Sequence, residues 1–97
     1  MNAILVEPAG DELQDAVDYY NAQFDGLGFQ FYDCFQDTIR YIKAAPVAWV
    51  SVGENTRRIN IKRFPYMLLY VLEGDAILVT CVAHQHRNPE YYADRMI

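Results

Sequence analysis

The sequence predicts a single α+β domain over residues 1–97, in which an N-terminal helical hairpin packs on a twisted antiparallel β-sheet of three or four strands. Two stretches with a helical period occupy the first half of the chain, and runs with the length and alternation of strands occupy the second half. A chain of this length sustains one hydrophobic core, whereas two cores would each be too small for packing alone to hold.

The first predicted helix begins near Pro8 and ends before the turn at residues 25–28. Proline suits the first turn of a helix, where an N–H group would have no partner within the helix. An apolar stripe follows the 3.6-residue period: Leu13, Ala16, Val17, Tyr20 and Phe24. The opposite, polar face carries Asp11, Glu12, Asp15 and Asp18. This segment is therefore predicted to be an amphipathic helix.

A second amphipathic helix follows the glycine-containing turn. Its apolar stripe comprises Leu27, Phe31, Cys34, Phe35, Thr38, Ile39 and Ile42. Pro46 prevents the helix from continuing much beyond Ala44, because proline lacks the N–H donor and clashes with the preceding turn. Two helices joined by so short a turn form an antiparallel hairpin.

The second half of the chain has the pattern of a sheet. Residues 58–62 alternate polar with apolar, so Ile59 and Ile61 are expected to face the core. The apolar runs 66–72 and 76–83 flank the turn at Gly74 and predict a hairpin in the middle of the sheet. Residues 3–6 indicate a further strand, residues 46–55 a loop lying on the core, and Asn88-Pro89-Glu90 the start of a short C-terminal helix.

The net charge of −5 is unevenly distributed. Residues 1–39 contain eight acids and no Lys or Arg, whereas residues 40–97 contain all eight basic residues and five acids. An acidic protein binds nucleic acid poorly unless its basic residues converge in space. The cluster that could do so locally is Arg57, Arg58, Lys62 and Arg63.

The composition also indicates where the protein is located and whether its cysteines form disulfides. No stretch approaches the roughly 20 apolar residues that cross a bilayer, and the first residues lack the features of a signal peptide. We therefore expect a cytoplasmic protein with no membrane partner. Cys34 and Cys81 are isolated in apolar surroundings and are predicted to be buried, reduced and structural.

Neither a metal nor a cofactor is expected. His84 and His86 point to one face of a strand but have no third ligand nearby, and zinc needs three or four. The only serine, Ser51, has no catalytic motif around it. The histidines, Arg87, Tyr91 and the basic cluster are residue types suited to acid–base cleavage of RNA. Residues of these types also commonly solvate the polar face of an edge strand, and composition alone leaves both interpretations open.

A series of short motifs resembles the RelE/ParE toxin superfamily of bacterial toxin–antitoxin pairs. The matching residues are Arg63-Phe64-Pro65-Tyr66, Tyr70, Gly74, Ala83-His84, Arg87-Asn88-Pro89 and Tyr92, in that order. The helical hairpin is similar too, so the resemblance extends from about Glu7 to Arg95. It implies the toxin of a type II toxin–antitoxin (plasmid stabilisation) system, neutralised by a cognate antitoxin.

The resemblance implies two possible targets. ParE-like members inhibit DNA gyrase by protein binding, whereas RelE-like members are ribosome-dependent mRNA endonucleases; a degenerate, non-toxic member is a third possibility. On the nuclease alternative, the catalytic set would be Arg58, Lys62, His84, His86, Arg87 and Tyr91. Met67 occupies the place of a mid-strand arginine of that branch, and the acidic balance suits a phosphate-lined ribosomal site poorly. Both features favour the ParE-like branch and a protein that is not an enzyme.

The predicted binding residues form two groups. Target binding is assigned to Arg63, His84, His86, Arg87, Tyr91 and Tyr92. Antitoxin binding is assigned to Tyr19, Phe29, Tyr32 and Tyr41, which lie off the core stripes of the helices. An equally good interpretation packs these four aromatics on the long loop. A homodimer and a toxin–antitoxin hetero-oligomer are both compatible with the sequence.

Overall fold

Two α-helices and five β-strands make up the fold, and the computed structural model describes residues 1–97. The elements are β1 (Asn2–Leu5), α1 (Ala9–Gln23), α2 (Leu27–Ala44), β2 (Val50–Ser51), β3 (Thr56–Asn60), β4 (Tyr66–Glu73) and β5 (Ala76–His84). Two 3₁₀ turns follow, at Pro89–Tyr91 and Ala93–Arg95. The predicted α+β class and the order of its helices and main strands are confirmed. Neither helix combines the length and the apolar character needed to cross a membrane.

The sheet differs from the prediction in strand number and in direction. Its order is β1-β5-β4-β3-β2, with β1 parallel to β5 and every other pair antiparallel. The expectation of three or four antiparallel strands is therefore wrong, since the sheet is mixed and has five. The two residues of β2 are too few to show a period, and the direction in which β1 pairs depends on a partner more than 70 residues away.

One face of the sheet packs against the helical hairpin. The predicted stripes supply most of the buried helical residues, and Ile59 and Ile61 face inward as expected. Each large apolar side chain buried in this way contributes about 1.5–3 kcal/mol. Phe24 is the exception, with 71% of its surface exposed. The backbone at Phe24 has already left the helix for an extended conformation, so its side chain no longer follows the stripe.

A β-bulge at Thr80 reverses the faces of β5. Leu69 of β4 pairs with Cys81, but the next residue, Tyr70, pairs with Val79, so Thr80 has no partner. Before the bulge Val79 faces the helices, whereas Cys81 after it faces the opposite side. Strict alternation would have placed both on one face, because side chains two residues apart on a regular strand point the same way.

The C-terminal segment, residues 85–97, covers the second face of the sheet. Tyr92 and Met96 pack there on a small apolar cluster that includes Met67, Leu69, Cys81 and Ala83. Asn88 accepts a hydrogen bond from the main-chain N–H of Glu90 (3.1 Å), as expected of a cap, but 3₁₀ turns follow in place of the predicted helix. The hydroxyl of Thr56 donates to a main-chain oxygen of Ile97 (2.7 Å) and anchors the segment on β3.

Gly28 permits the close approach of the two helices, and Gly28→Ala tests this contact. Its N–H group donates to the side chain of Asn21 (2.8 Å), and an added Cβ would lie 2.1 Å from the carbonyl oxygen of Val17. Because this obstacle is a main-chain atom, which cannot rotate aside, the two helices would have to move apart. We expect the free energy of unfolding, measured in urea, to fall by about 2 kcal/mol.

The matched control is Gly10→Ala on α1. There the added Cβ meets the carboxylate of Glu7, which is the end of a flexible side chain and can move aside. Because Ala is favoured over Gly in a helix by about 1 kcal/mol, this variant should be neutral or more stable than the parent. Equal destabilisation by both substitutions would show that the helical contact is not as close as described.

Candidate functional site

Four polar and aromatic side chains gather where β5 ends: His84, His86, Arg87 and Tyr91, hereafter the margin. The guanidinium carbon of Arg87 lies 3.7 Å from the centre of the Tyr91 ring, a stacking distance. The rings of His84 and His86 are 5.4 Å apart, and that of His84 is 5.5 Å from Tyr66. With α1, His84, Arg87 and Tyr91 line a cleft of about 330 Å³. The structure thus brings these four predicted residues together.

Glu12 of α1 joins the margin to the rest of the molecule. The sequence placed it on the polar face of the helix, but only 9% of its side chain is exposed. Its carboxylate accepts hydrogen bonds from both terminal nitrogens of Arg95 (3.0 and 2.9 Å), from the N–H of Val82 (3.0 Å) and from the hydroxyl of Tyr91. The sequence analysis missed this residue, because its partners lie 70 to 83 positions away.

The ion pair of Glu12 and Arg95 lies at the edge of the sheet, beyond the point where β1 stops pairing with β5. Strand β1 makes its last contact with β5 where the N–H of Val6 donates to the carbonyl of Val79 (2.9 Å). Beyond that point Val82 donates to Glu12, and Arg95 donates to the carbonyl of Thr80 (2.8 Å). The two side chains therefore satisfy main-chain groups of β5 that would otherwise lack partners at this edge.

The hydrogen bonds of Glu12 set the charge states around the margin. The bond to its carboxylate, followed by burial, raises the pKa of the Tyr91 hydroxyl. The bonds from Arg95 to the same carboxylate raise the pKa of that guanidinium. At neutral pH the Tyr91 hydroxyl is therefore a proton donor already engaged by Glu12, which makes it a poor general base.

The histidines of the margin are engaged with each other. The Nδ1 atom of His84 accepts a hydrogen bond from the main-chain N–H of His86 (3.0 Å). No three side chains of His, Cys, Asp or Glu come close enough together to hold a metal ion. The arrangement offers ring edges and a stacked guanidinium to a partner surface, a combination typical of protein interfaces.

The residues of the nuclease alternative are not all brought together. Arg58 pairs with Leu69 and so faces the second side of the sheet, whereas His84 pairs with Tyr66 and faces the helices. Lys62 lies over the ring of Tyr41 on α2, 4.9 Å from its centre. The six predicted catalytic residues are therefore distributed over both faces of the sheet, and Lys62, in the loop after β3, is engaged with α2.

Two residues of the predicted target-binding group lie outside the margin. Arg63 adopts a positive φ of 75° in the loop between β3 and β4 and lines a separate small cavity with Thr38 and Tyr41. Tyr92 is 6% exposed and packs against the second face of the sheet, so it offers little surface to a partner. Met67, the residue found in place of an arginine, is fully buried in the same cluster.

A groove of about 540 Å³ runs between the outer edge of β1 and α2. Tyr32, Phe35 and Ile39 line its helical wall, and Asn2–Leu5 forms the other wall. Strand β1 is an edge strand, is exposed along its whole length and contains neither charge nor proline. Natural proteins usually protect a sheet edge with such residues, so this edge is open to a further strand.

The four aromatics assigned to antitoxin binding are exposed but do not form one surface. Their exposed fractions are 56% for Tyr19, 66% for Phe29, and 41% for both Tyr32 and Tyr41. Tyr32 lies in the groove beside β1, and Tyr19 lines the cleft of the margin. Tyr41 is nine residues from Tyr32, which is two and a half turns, so it lies on the opposite flank of α2.

Comparison with known proteins supports the assignment of the fold. One chain of the solved structure described as the chromosomal ParDE TA system from P. aeruginosa matches with a TM-score of 0.63 and 16% sequence identity. The match covers 87% of this chain and 95% of that chain. No protein-family model and no curated protein sequence matches the chain. The protein therefore shares its fold with that chain of a ParDE system, in agreement with the α+β fold predicted from its sequence.

The buried thiol of Cys81 provides a test of the second face. Burial raises the pKa of Cys81 to about 12, from an ordinary value of 9.0. At pH 8 the thiolate is then present in about one molecule in ten thousand, against about one in ten for an ordinary thiol. In a Cys34→Ala variant, we expect Ellman's reagent to modify Cys81 at least about a thousandfold more slowly in the native state than in urea. Comparable rates would mean that the C-terminal segment does not cover this face.

Proposed function

We propose that the protein is the toxin of a type II toxin–antitoxin system, acting in the cytoplasm. A cognate antitoxin neutralises it, and its target is DNA gyrase, which it inhibits by protein binding and without cleaving RNA. The likeness to a chain of a ParDE system supports the toxin–antitoxin assignment at the level of fold. The open edge of β1 beside an apolar groove is the observation that carries the proposal of an antitoxin partner.

The antitoxin is proposed to add an extended segment to β1 and to place apolar side chains in the groove. An unpaired edge supplies main-chain hydrogen bonds to an incoming strand, and the groove selects its side chains. Residues 1–39, which include β1 and most of α2, carry a charge of −8. Basic residues of the antitoxin that lie outside the groove, whose lining has one charged residue, Lys43, would therefore complement this half of the molecule.

Tyr32 and Tyr41 form a matched pair for testing the groove. Both are 41% exposed on α2, but only Tyr32 lines the groove beside β1. We expect Tyr32→Arg to weaken binding of the cognate antitoxin by about tenfold or more in calorimetry. Tyr41→Arg should change the affinity by less than about threefold. Equal losses in the two variants would contradict docking in this groove.

The margin is the proposed contact with gyrase. Arg and Tyr are the residue types that most often dominate the energy of protein interfaces, and here stacking holds the two side chains in one arrangement before binding. The nuclease alternative is less well supported, because Arg58 and His84 face opposite sides of the sheet and the hydroxyl of Tyr91 is engaged by Glu12.

Replacing Arg87 and Tyr91 together by Ala tests the gyrase proposal. We expect the purified wild-type protein to inhibit gyrase supercoiling and the double variant to be weaker by about 30-fold or more, which corresponds to roughly 2 kcal/mol. Arg40→Ala is the control for charge, because Arg40 is exposed on α2 and pairs only with Asp37. It should inhibit like the parent.

Two outcomes would contradict the gyrase proposal, and a third would contradict the assignment of the gyrase contact to the margin. Cleavage of mRNA on programmed ribosomes that requires His84 or His86 would establish the nuclease alternative. Binding of the antitoxin with no effect on gyrase or on mRNA would indicate a non-toxic member. Equal weakening by Arg40→Ala would indicate that charge, and not the margin, is responsible for inhibition.

A further inference from the structure

The side chain of Tyr91 is held in place by Glu12, a residue of helix α1. Its hydroxyl donates to Glu12 of α1, while its ring stacks under Arg87 (3.7 Å) and lies 5.0 Å from the guanidinium carbon of Arg95. Both side chains are otherwise exposed: Tyr91 lies in the first 3₁₀ turn, and Arg87 lies in the bend that precedes it. Exposed side chains of this kind normally sample several rotamers, and fixing them on binding costs conformational entropy.

We infer that Glu12 is a positioning residue for the margin: by holding the hydroxyl of Tyr91 it fixes the ring on which Arg87 stacks. The carboxylate lies on a regular helix and is itself fixed by Arg95 and by the N–H of Val82. It therefore transmits the rigidity of α1 and β5 to two side chains of the C-terminal segment. As far as it concerns target binding, this inference rests on the proposed function.

Glu12 also stabilises the edge of β5 through Arg95 and Val82. The experiment must therefore separate this structural role from the positioning of Tyr91. Glu12→Gln weakens both, because the amide keeps one acceptor oxygen and replaces the other by an NH₂ donor that cannot accept from Arg95, Val82 or Tyr91. Tyr91→Phe separates them, since it leaves the Glu12–Arg95 ion pair and the bond to Val82 intact and removes only the hydroxyl. Asp11→Asn is the control for charge, because Asp11 is the neighbouring exposed acid on α1 and makes no hydrogen bond or ion pair with the C-terminal segment.

The first measurement is the NMR resonance of the Arg87 side-chain N–H group, assigned in the wild type. A ring stacked at 3.7 Å shields this group, so its resonance lies upfield of that of free arginine. We expect the resonance to move toward the position of free arginine in both Glu12→Gln and Tyr91→Phe, and to stay unchanged in Asp11→Asn. An unchanged resonance in Tyr91→Phe, or an equal movement in Asp11→Asn, would overturn the inference.

The second measurement is inhibition of gyrase supercoiling by the same variants. Tyr91→Phe should keep the melting temperature close to that of the parent and lose about tenfold in inhibition. Loss of inhibition without movement of the Arg87 resonance would mean that the hydroxyl contacts the target directly, which would overturn the positioning role. If the wild type does not inhibit gyrase, the proposed function fails, and the NMR comparison still decides whether Glu12 orders the margin.

Discussion

The buried carboxylate of Glu12 is the point at which the helical hairpin, the edge of the sheet and the C-terminal segment meet. Removing a charged pair from water is costly, and the attraction within the pair offsets this cost only when the remaining hydrogen-bonding positions are filled. Here the two carboxylate oxygens receive four donors, and Arg95 also bonds to the carbonyl of Thr80. Loss of either charge would leave the other buried without a partner, which typically costs about 3–5 kcal/mol.

The bulge at Thr80 makes this arrangement possible. It turns the carbonyl of Thr80 and the N–H of Val82 toward the open edge, where Arg95 and Glu12 bond to them. It also reverses the faces of β5, so that Cys81 and Ala83 lie under the C-terminal segment while His84 points toward the helices. The unpaired residue Thr80 thus determines which side chains of β5 are buried on the second face and which are exposed in the margin.

The two proposed binding surfaces follow one another along the same edge of β5. The groove reaches Val79, where β1 ends its pairing, and the cleft of the margin begins at Val82. Between them lies the ion pair of Glu12 and Arg95. A strand added to β1 would lengthen the sheet on the side of the molecule that also carries the margin.

The sequence by itself determined the class of the fold, the helical stripes, the inward-facing Ile59 and Ile61, and the polar residues of the margin. Each of these depends on a local pattern, since burial along one element imposes a period of 3.6 or 2 on its own residues. The tertiary structure alone decided that β1 pairs in parallel, that Thr80 bulges, that Tyr92 is buried and that Glu12 meets Arg95. These features depend on residues far apart in the chain. They are selected because burying an unpaired charge or main-chain group is costly, so each such group must find a partner. A requirement of this kind imposes no period on the sequence.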